Sequence, residues 1–86
     1  MSRPKNDLSS IARFGEKLRS LRMSQGLTLQ QLVRELGLTS HSHLSELENG
    51  KKLPTADLAL KVARFFEVTT DQLLKDELEL PEQQGP

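Results

Sequence analysis

The stretch that decides the fold runs from Leu27 to Pro54 and reads LTLQQLVRELGLTSHSHLSELENGKKLP. Its first half carries apolar side chains at steps of three and four residues, namely Leu29, Leu32, Val33 and Leu36. This spacing predicts a helix with one buried face. Gly37 can end that helix, because a residue without Cβ tolerates the left-handed conformation that a helix C-terminus often needs.

A second helix is predicted to restart near Thr39 or Ser40, with only Leu44 and Leu47 pointing inward. The other positions on its surface are polar: His41, Ser42, His43, Ser45 and Glu46. A short helix with a two-leucine seam and a hydrogen-bonding surface is suited to lie in a groove. Two amphipathic helices joined by a short turn that contains glycine form a helix-turn-helix, an arrangement that places a recognition helix on DNA.

Periodicity and capping signals predict a helix before this pair. Its apolar stripe, at steps of three and four residues, consists of Ile11, Phe14, Leu18 and Leu21. Asp7, Ser9 or Ser10 can cap its start, and it ends at Gly26. Thr28, with Gln31 three residues later, is a capping-box pattern for the helix that follows.

Two more helices are predicted after the turn at Asn49-Gly50. Pro54 and Thr55 open a fourth helix, whose core-facing residues are Leu58, Val62 and the Phe65-Phe66 pair. Thr69 or Thr70 caps a short fifth helix through Leu74, and a continuation to Leu80, before Pro81, stays open. The sequence thus predicts an all-α domain of five helices at 9–75, between a flexible arm at 1–8 and an acidic tail at 76–86.

Length and composition exclude several classes of protein. A chain of 86 residues has room for one small domain, near the lower limit at which an apolar core suffices. There is no cysteine, so disulfides, thiolate chemistry and cysteine zinc sites are excluded. No apolar run approaches a membrane span, and Met1–Ser10 lacks the apolar core of a signal peptide. We therefore expect a cytoplasmic protein that makes no membrane contact.

The net charge is zero, but its distribution is uneven. Residues 1–52 hold nine Lys/Arg and five Asp/Glu, a net charge of +4. Residues 53–86 hold three Lys/Arg and seven Asp/Glu, a net charge of −4. Such asymmetry between halves is a hint of a nucleic-acid face opposite an acidic one.

The residues Gln25-Gly26-Leu27-Thr28, then 32–37, then the LSELENGK of 44–51, resemble the phage repressor and Cro-like helix-turn-helix family, also called xenobiotic-response-element-like. The pattern continues to Leu74, so the resemblance covers nearly the whole chain. It implies a lambda-repressor-like five-helix fold. It also implies a transcriptional regulator that binds palindromic double-stranded DNA as a homodimer. Because occupying a promoter is the simplest mechanism for such a short chain, we expect a repressor.

The resemblance also implies roles for individual residues. Base contacts fall on the polar positions around the first buried leucine, which are His41, Ser42, His43, Ser45 and Glu46. Phosphate contacts fall on the starts of the two central helices and on the turn after them: Thr28, Gln30, Ser40, Asn49, Gly50, Lys51 and Lys52. Weaker phosphate candidates are Arg3, Lys5, Arg13 and Lys17. The chain departs from the family in a turn one residue longer between Gly37 and Leu44, and in Leu29 where the family often has glutamine.

Glu48 is predicted to be structural. In the resembling proteins the matching acid pairs with an arginine of the first helix, and Arg22 occupies that position. The dimer interface is expected at the apolar C-terminal residues Leu73, Leu74, Leu78 and Leu80, although Leu78 and Leu80 can instead fold back on their own domain.

The same residues do not fit a metal site or a hydrolase. His41 and His43 diverge by about 200° around a helix axis, so they cannot chelate one metal ion together. A hydrolase based on Ser40, His41 and Glu46 lacks an oxyanion hole and a substrate cleft. We therefore expect no enzyme activity, metal or cofactor. Two binding alternatives stay open: the antitoxin of a toxin–antitoxin pair, and a helix-turn-helix used for contact with another protein.

Overall fold

The computed structural model describes residues 11–82 of the chain and contains five α-helices in that range. They are α1 (Phe14–Ser24), α2 (Leu29–Glu35), α3 (His41–Glu48), α4 (Ala56–Phe66) and α5 (Thr70–Leu74). No strand occurs among these residues, so the predicted all-α, five-helix architecture is confirmed. Between residues 11 and 82, no helix is both long enough and apolar enough to span a membrane.

A threonine or serine side chain caps the N-terminus of four of the helices. At α2 the hydroxyl of Thr28 accepts from the amide of Gln31 at 3.1 Å, and the side chain of Gln31 accepts from the amide of Thr28 at 2.8 Å. Thr69 and Gln72 form the same reciprocal pair at α5. Ser40 and Thr55 cap α3 and α4 with single bonds. Each hydroxyl satisfies an amide that a helix N-terminus leaves without a partner.

The start of α1 differs from the prediction. The helix begins at Phe14, and the carboxylate of Asp76 accepts from the amides of Ala12 at 3.0 Å and of Arg13 at 2.9 Å. The predicted caps Asp7, Ser9 and Ser10 lie outside the described residues and precede this start by four residues or more. A carboxylate at a helix N-terminus also faces the positive end of the helix dipole, which is favourable.

The five helices enclose one apolar core. Every helix contributes leucine to it, and α1 and α4 add phenylalanine. Its chief members are Phe14, Leu18, Leu21, Leu32, Leu36, Leu44, Leu47, Leu58, Val62, Phe66 and Leu73. The prediction for Phe65 is wrong, because this side chain is 38% exposed and only Phe66 enters the core. Successive residues on a helix point about 100° apart, so both rings cannot face inward. The Phe65 ring instead stands edge-on to Phe66, with centroids 4.9 Å apart.

The segment after α5 folds back on α1. The helix ends at Leu74 and does not continue to Leu80. Lys17, only 2% exposed, donates from Nζ to the carbonyl oxygens of Gln72, Lys75 and Leu78 at 2.7, 2.8 and 2.7 Å. Burial lowers the pKa of Lys17, and the three carbonyls compensate by accepting from its ammonium group. Residues 76–80 are therefore part of the folded domain and not an acidic tail.

Candidate nucleic-acid interface

Helix α3 is amphipathic in the way that the sequence predicts. Leu44 and Leu47 are fully buried, and the helix packs against α1 and α2. The five residues predicted to contact bases lie away from this buried side, with His41 and Ser42 exposed and His43, Ser45 and Glu46 half-buried. Because two leucines hold the helix, its polar side is presented to the outside in a fixed orientation.

The longer turn before α3 does not shift the helix relative to its leucines. Ser40 caps the helix, which begins at His41, so the added residue lies in the bend at Leu38 and Thr39. Two backbone hydrogen bonds close the turn. The amide of Gly37 donates to the carbonyl of Arg34, and the amide of Leu38 donates to the carbonyl of Val33. Leu38 is half-buried against the core, which anchors the bend.

The turn after α3 is closed by its own backbone. The amides of Asn49, Gly50 and Lys51 donate to carbonyls of Ser45, Leu47 and Glu46. Gly50 has φ +76, and a Cβ there would meet nothing within 4 Å, so the backbone conformation and not crowding requires glycine. The Gly50 amide is already bonded to the carbonyl of Leu47 at 3.2 Å, so it is not a free donor for the phosphate contact predicted at this residue. The side chains of Asn49 and Lys51 are exposed.

One ion pair joins the two classes of predicted DNA contact. Lys52 Nζ lies 3.4 Å from Glu46 Oε1, and the two side chains are 52% and 42% exposed. An exposed pair of this kind contributes at most about 1 kcal/mol. It nevertheless offsets part of the negative charge of Glu46.

Arg22 and Glu48 form the pair anticipated from the sequence. Arg22 Nε donates to Glu48 Oε2 at 2.7 Å, and Nη2 donates to Oε1 at 3.1 Å. The remaining nitrogen, Nη1, donates to the carbonyl of Leu27 at 2.8 Å. The two side chains are only 14% and 5% exposed. This fork links α1 to the end of α3 and to the residues that precede α2, and thereby sets the angle between the helices.

Gly15 is an important position that sequence reasoning missed. A Cβ at this residue would collide with the carbonyl oxygen of Leu47 and lie 2.7 Å from that of Glu48. Only glycine lets α1 approach the end of α3 this closely. The first helix as predicted, with a cap at Asp7, Ser9 or Ser10, places Gly15 in its interior. Glycine there is disfavoured by about 1 kcal/mol relative to alanine and commonly marks a packing constraint.

The remaining phosphate candidates divide into engaged and available groups. The hydroxyls of Thr28 and Ser40 are engaged as helix caps, whereas Gln30 is exposed at the start of α2. Leu29 is half-buried against the core. Gln30 is therefore the side chain at this helix start that can reach a phosphate.

Two of the weaker phosphate candidates are wrong. Arg13 donates to Glu16, to Glu79 and to the carbonyl of Asp76, and the hydrogen bonds with the two glutamates raise its pKa. Lys17 is buried beneath the C-terminal segment. Arg3 and Lys5 lie outside the described residues.

The predicted dimer residues are not equally accessible. Leu73 is fully buried in its own core, so assigning it to a dimer interface is wrong. Leu74 and Leu80 are half-buried against the same core, as the fold-back alternative anticipates for Leu80. Leu78 is 37% exposed and has apolar surface to offer a partner.

Comparison with known proteins agrees with this geometry. A family model described as helix-turn-helix (HTH_3) matches residues 18–73. The chain is 39% identical over 64 residues to the HTH-type transcriptional activator BcrR of Enterococcus faecalis, covering 74% of this chain and 31% of that protein. It is 36% identical over 62 residues to the transcriptional regulator ClgR of Mycobacterium tuberculosis, covering 72% and 54%. The chain thus spans 31% of the length of the first relative and 54% of the second.

Solved structures give the same fold. The restriction-modification controller protein C.AhdI from Aeromonas hydrophila has a TM-score of 0.65 and 28% identity, covering 74% of this chain and 96% of that one. The DNA-binding domain of BldD has a TM-score of 0.63 and 27% identity, covering 76% and 93%. With two amphipathic helices across a closed turn, and with the family model matching well over half of its length, the chain belongs to the helix-turn-helix family of transcriptional regulators.

Proposed function

We propose that this protein binds a specific site on double-stranded DNA, with α3 in the major groove, and thereby regulates transcription. The observation that carries the proposal is the fixed presentation of hydrogen-bonding side chains on the outer side of α3, above two fully buried leucines. The names of its relatives, which are regulators and not enzymes, support the same role. A helix of this width fits the major groove of B-form DNA.

The proposed base contacts come from His41, Ser42, His43, Ser45 and Glu46. Histidine and serine can donate to or accept from purine edges, and glutamate can accept from the N4 amino group of cytosine. Helix α3 contains no arginine or glutamine, the residues that make the commonest bidentate base contacts. Readout therefore depends on a few hydrogen bonds together with the shape of the DNA.

Proposed contacts to the sugar-phosphate backbone flank this helix. Lys51 and Asn49 offer exposed side chains after α3, and Gln30 does so at the start of α2. Lys52 contributes charge that it shares with Glu46. Lysines at such positions displace condensed counterions, which makes binding dependent on salt.

We further propose a homodimer on a palindromic operator, acting in the cytoplasm. Leu78, with Leu74 and Leu80 beside it, supplies the apolar surface for the two-fold contact. Two-fold protein symmetry matches two half-sites one or more helical turns apart. Repression needs only occupancy of a promoter site, so we propose a repressor, although BcrR is named an activator.

Selection of bound duplexes from a random pool, followed by footprinting, tests the proposal. We expect an enriched palindrome, saturable binding, and affinity that falls steeply with salt. Salt-insensitive or absent binding would contradict DNA recognition and favour a role in protein contact. Co-purification with a small partner protein would favour the antitoxin alternative. A reporter behind the enriched site should rise in expression when the gene is deleted; a fall would indicate an activator.

A further inference from the structure

Within residues 11–82, most basic side chains are already engaged by carboxylates or carbonyls. The exceptions make no side-chain hydrogen bond or ion pair with another described residue: Arg19, Arg34, Lys51 and Arg64. A protein of zero net charge that binds a polyanion depends on such uncommitted cations. Their positions in the fold therefore indicate where phosphates can be held.

Arg19 lies beside the proposed backbone contact of the turn after α3. It lines a groove between α1 and α3. One wall is the outer face of α1, and the other is the end of α3 with the turn that follows it, including Asn49 and Gly50. Arg64 on α4 does not line this groove. The space beside Gly50 at the groove wall is open, because a Cβ at this residue would meet nothing within 4 Å.

The two walls are held together tightly. Gly15, one turn before Arg19, brings α1 against the last carbonyls of α3. Arg22, almost one turn after it, clamps Glu48 with two hydrogen bonds. Arg19 thus lies between two fixed points of contact, and its distance from Asn49 is set by the packing of the helices.

We propose that Arg19 is a phosphate-contacting residue, and that one backbone phosphate of the duplex seats between its guanidinium group and the side-chain amide of Asn49. This inference rests on the proposed DNA-binding function and extends the interface onto α1. A planar guanidinium can donate two parallel hydrogen bonds to a phosphate, and the asparagine amide can donate a third. Glu16 shares the groove, but its carboxylate is held by Arg13 at 3.0 Å.

The test compares Arg19→Gln with Arg64→Gln, a matched removal of one exposed arginine outside the groove. Affinity for the selected duplex and for a random duplex is measured by fluorescence anisotropy between 50 and 200 mM salt. Arg19→Gln should weaken both duplexes and lower the slope of log K against log salt by about 0.9. Over that fourfold range of salt, the wild type then loses about 3.5-fold more affinity than Arg19→Gln does. Arg64→Gln should keep the wild-type slope.

The outcomes separate this inference from the proposed function. If the wild type binds the duplexes but Arg19→Gln and Arg64→Gln share its slope, the phosphate role of Arg19 is overturned and DNA binding stands. If the wild type binds no duplex, both are overturned. Arg19→Lys keeps the positive charge but lacks the planar guanidinium that can donate two parallel hydrogen bonds. It should therefore restore the slope but only part of the affinity. Unchanged melting temperatures of all three variants would exclude a loss of folding as the cause.

Discussion

Replacing Arg22 with alanine should destabilise the domain far more than the loss of one surface charge would. Arg22 makes three hydrogen bonds, two to Glu48 and one to the carbonyl of Leu27. The side chain of Glu48 is only 5% exposed, so alanine would leave a carboxylate buried without its partner. Breaking a buried pair in this way costs about 3–5 kcal/mol. Domains of this size lose about 4–8 °C in Tm per kcal/mol, so the Tm should fall by at least about 12 °C.

The assay is urea denaturation at neutral pH, with thermal melting as a second measure. Arg19→Ala, an exposed change on the same helix, is the control and should stay within about 0.5 kcal/mol of the wild type. The double variant Arg22→Met with Glu48→Leu should recover much of the loss, because apolar residues of similar volume can replace a buried pair. An Arg22→Ala variant within about 1 kcal/mol of the wild type would refute the reasoning, since a buried, uncompensated charge is costlier than that.

Four further predictions follow from contacts in the same fold. Gly15→Ala should destabilise by about 1–3 kcal/mol in urea denaturation despite the better helix propensity of alanine, because its Cβ would collide with α3 carbonyls; Ser20→Ala, exposed on α1, should be neutral. Lys17→Met should lower the Tm and expose the 75–80 segment to proteolysis, because three carbonyls lose their donor; an intact segment would contradict the clamp. Glu46→Gln should relax discrimination at one base pair by about 1–3 kcal/mol, whereas Lys51→Gln should weaken all duplexes about equally; selection profiles that change alike would disprove the division of roles. Leu78→Asp should convert the proposed dimer to monomer in light scattering without lowering the Tm, because the side chain is exposed, and a persistent dimer would place the interface elsewhere.

The central helices could be predicted because their signals are local. The apolar steps of α2, the capping box of Thr28 with Gln31 and the Ser40 cap of α3 each involve residues within three or four positions of one another. Such spacings follow from helix geometry alone. The same local signals place the polar residues of α3 opposite its two leucines, so the candidate interface was also open to prediction.

The rest depends on contacts between residues far apart in the chain. Asp76 caps α1 from 64 positions beyond Ala12, and Lys17 reaches the carbonyl of Leu78 across 61 positions. The spacing of residues in the sequence does not indicate such distant pairs. Lys17 is therefore predicted as a weaker phosphate candidate, although the C-terminal segment covers it. The prediction of Leu73 as a dimer residue fails for the same reason. The sequence pattern of an apolar residue in a terminal helix is the same whether the side chain packs in its own core or against a partner.

The most direct test of the central claim, that the outer side of α3 docks into a duplex, is an NMR titration of the full chain with its selected operator. Backbone amide shifts should change first and most at residues 41–46 and 49–52, with smaller changes around the proposed phosphate contacts Gln30 and Arg19. Shifts confined to α4 and α5, or a spectrum unchanged at saturating duplex, would contradict the account.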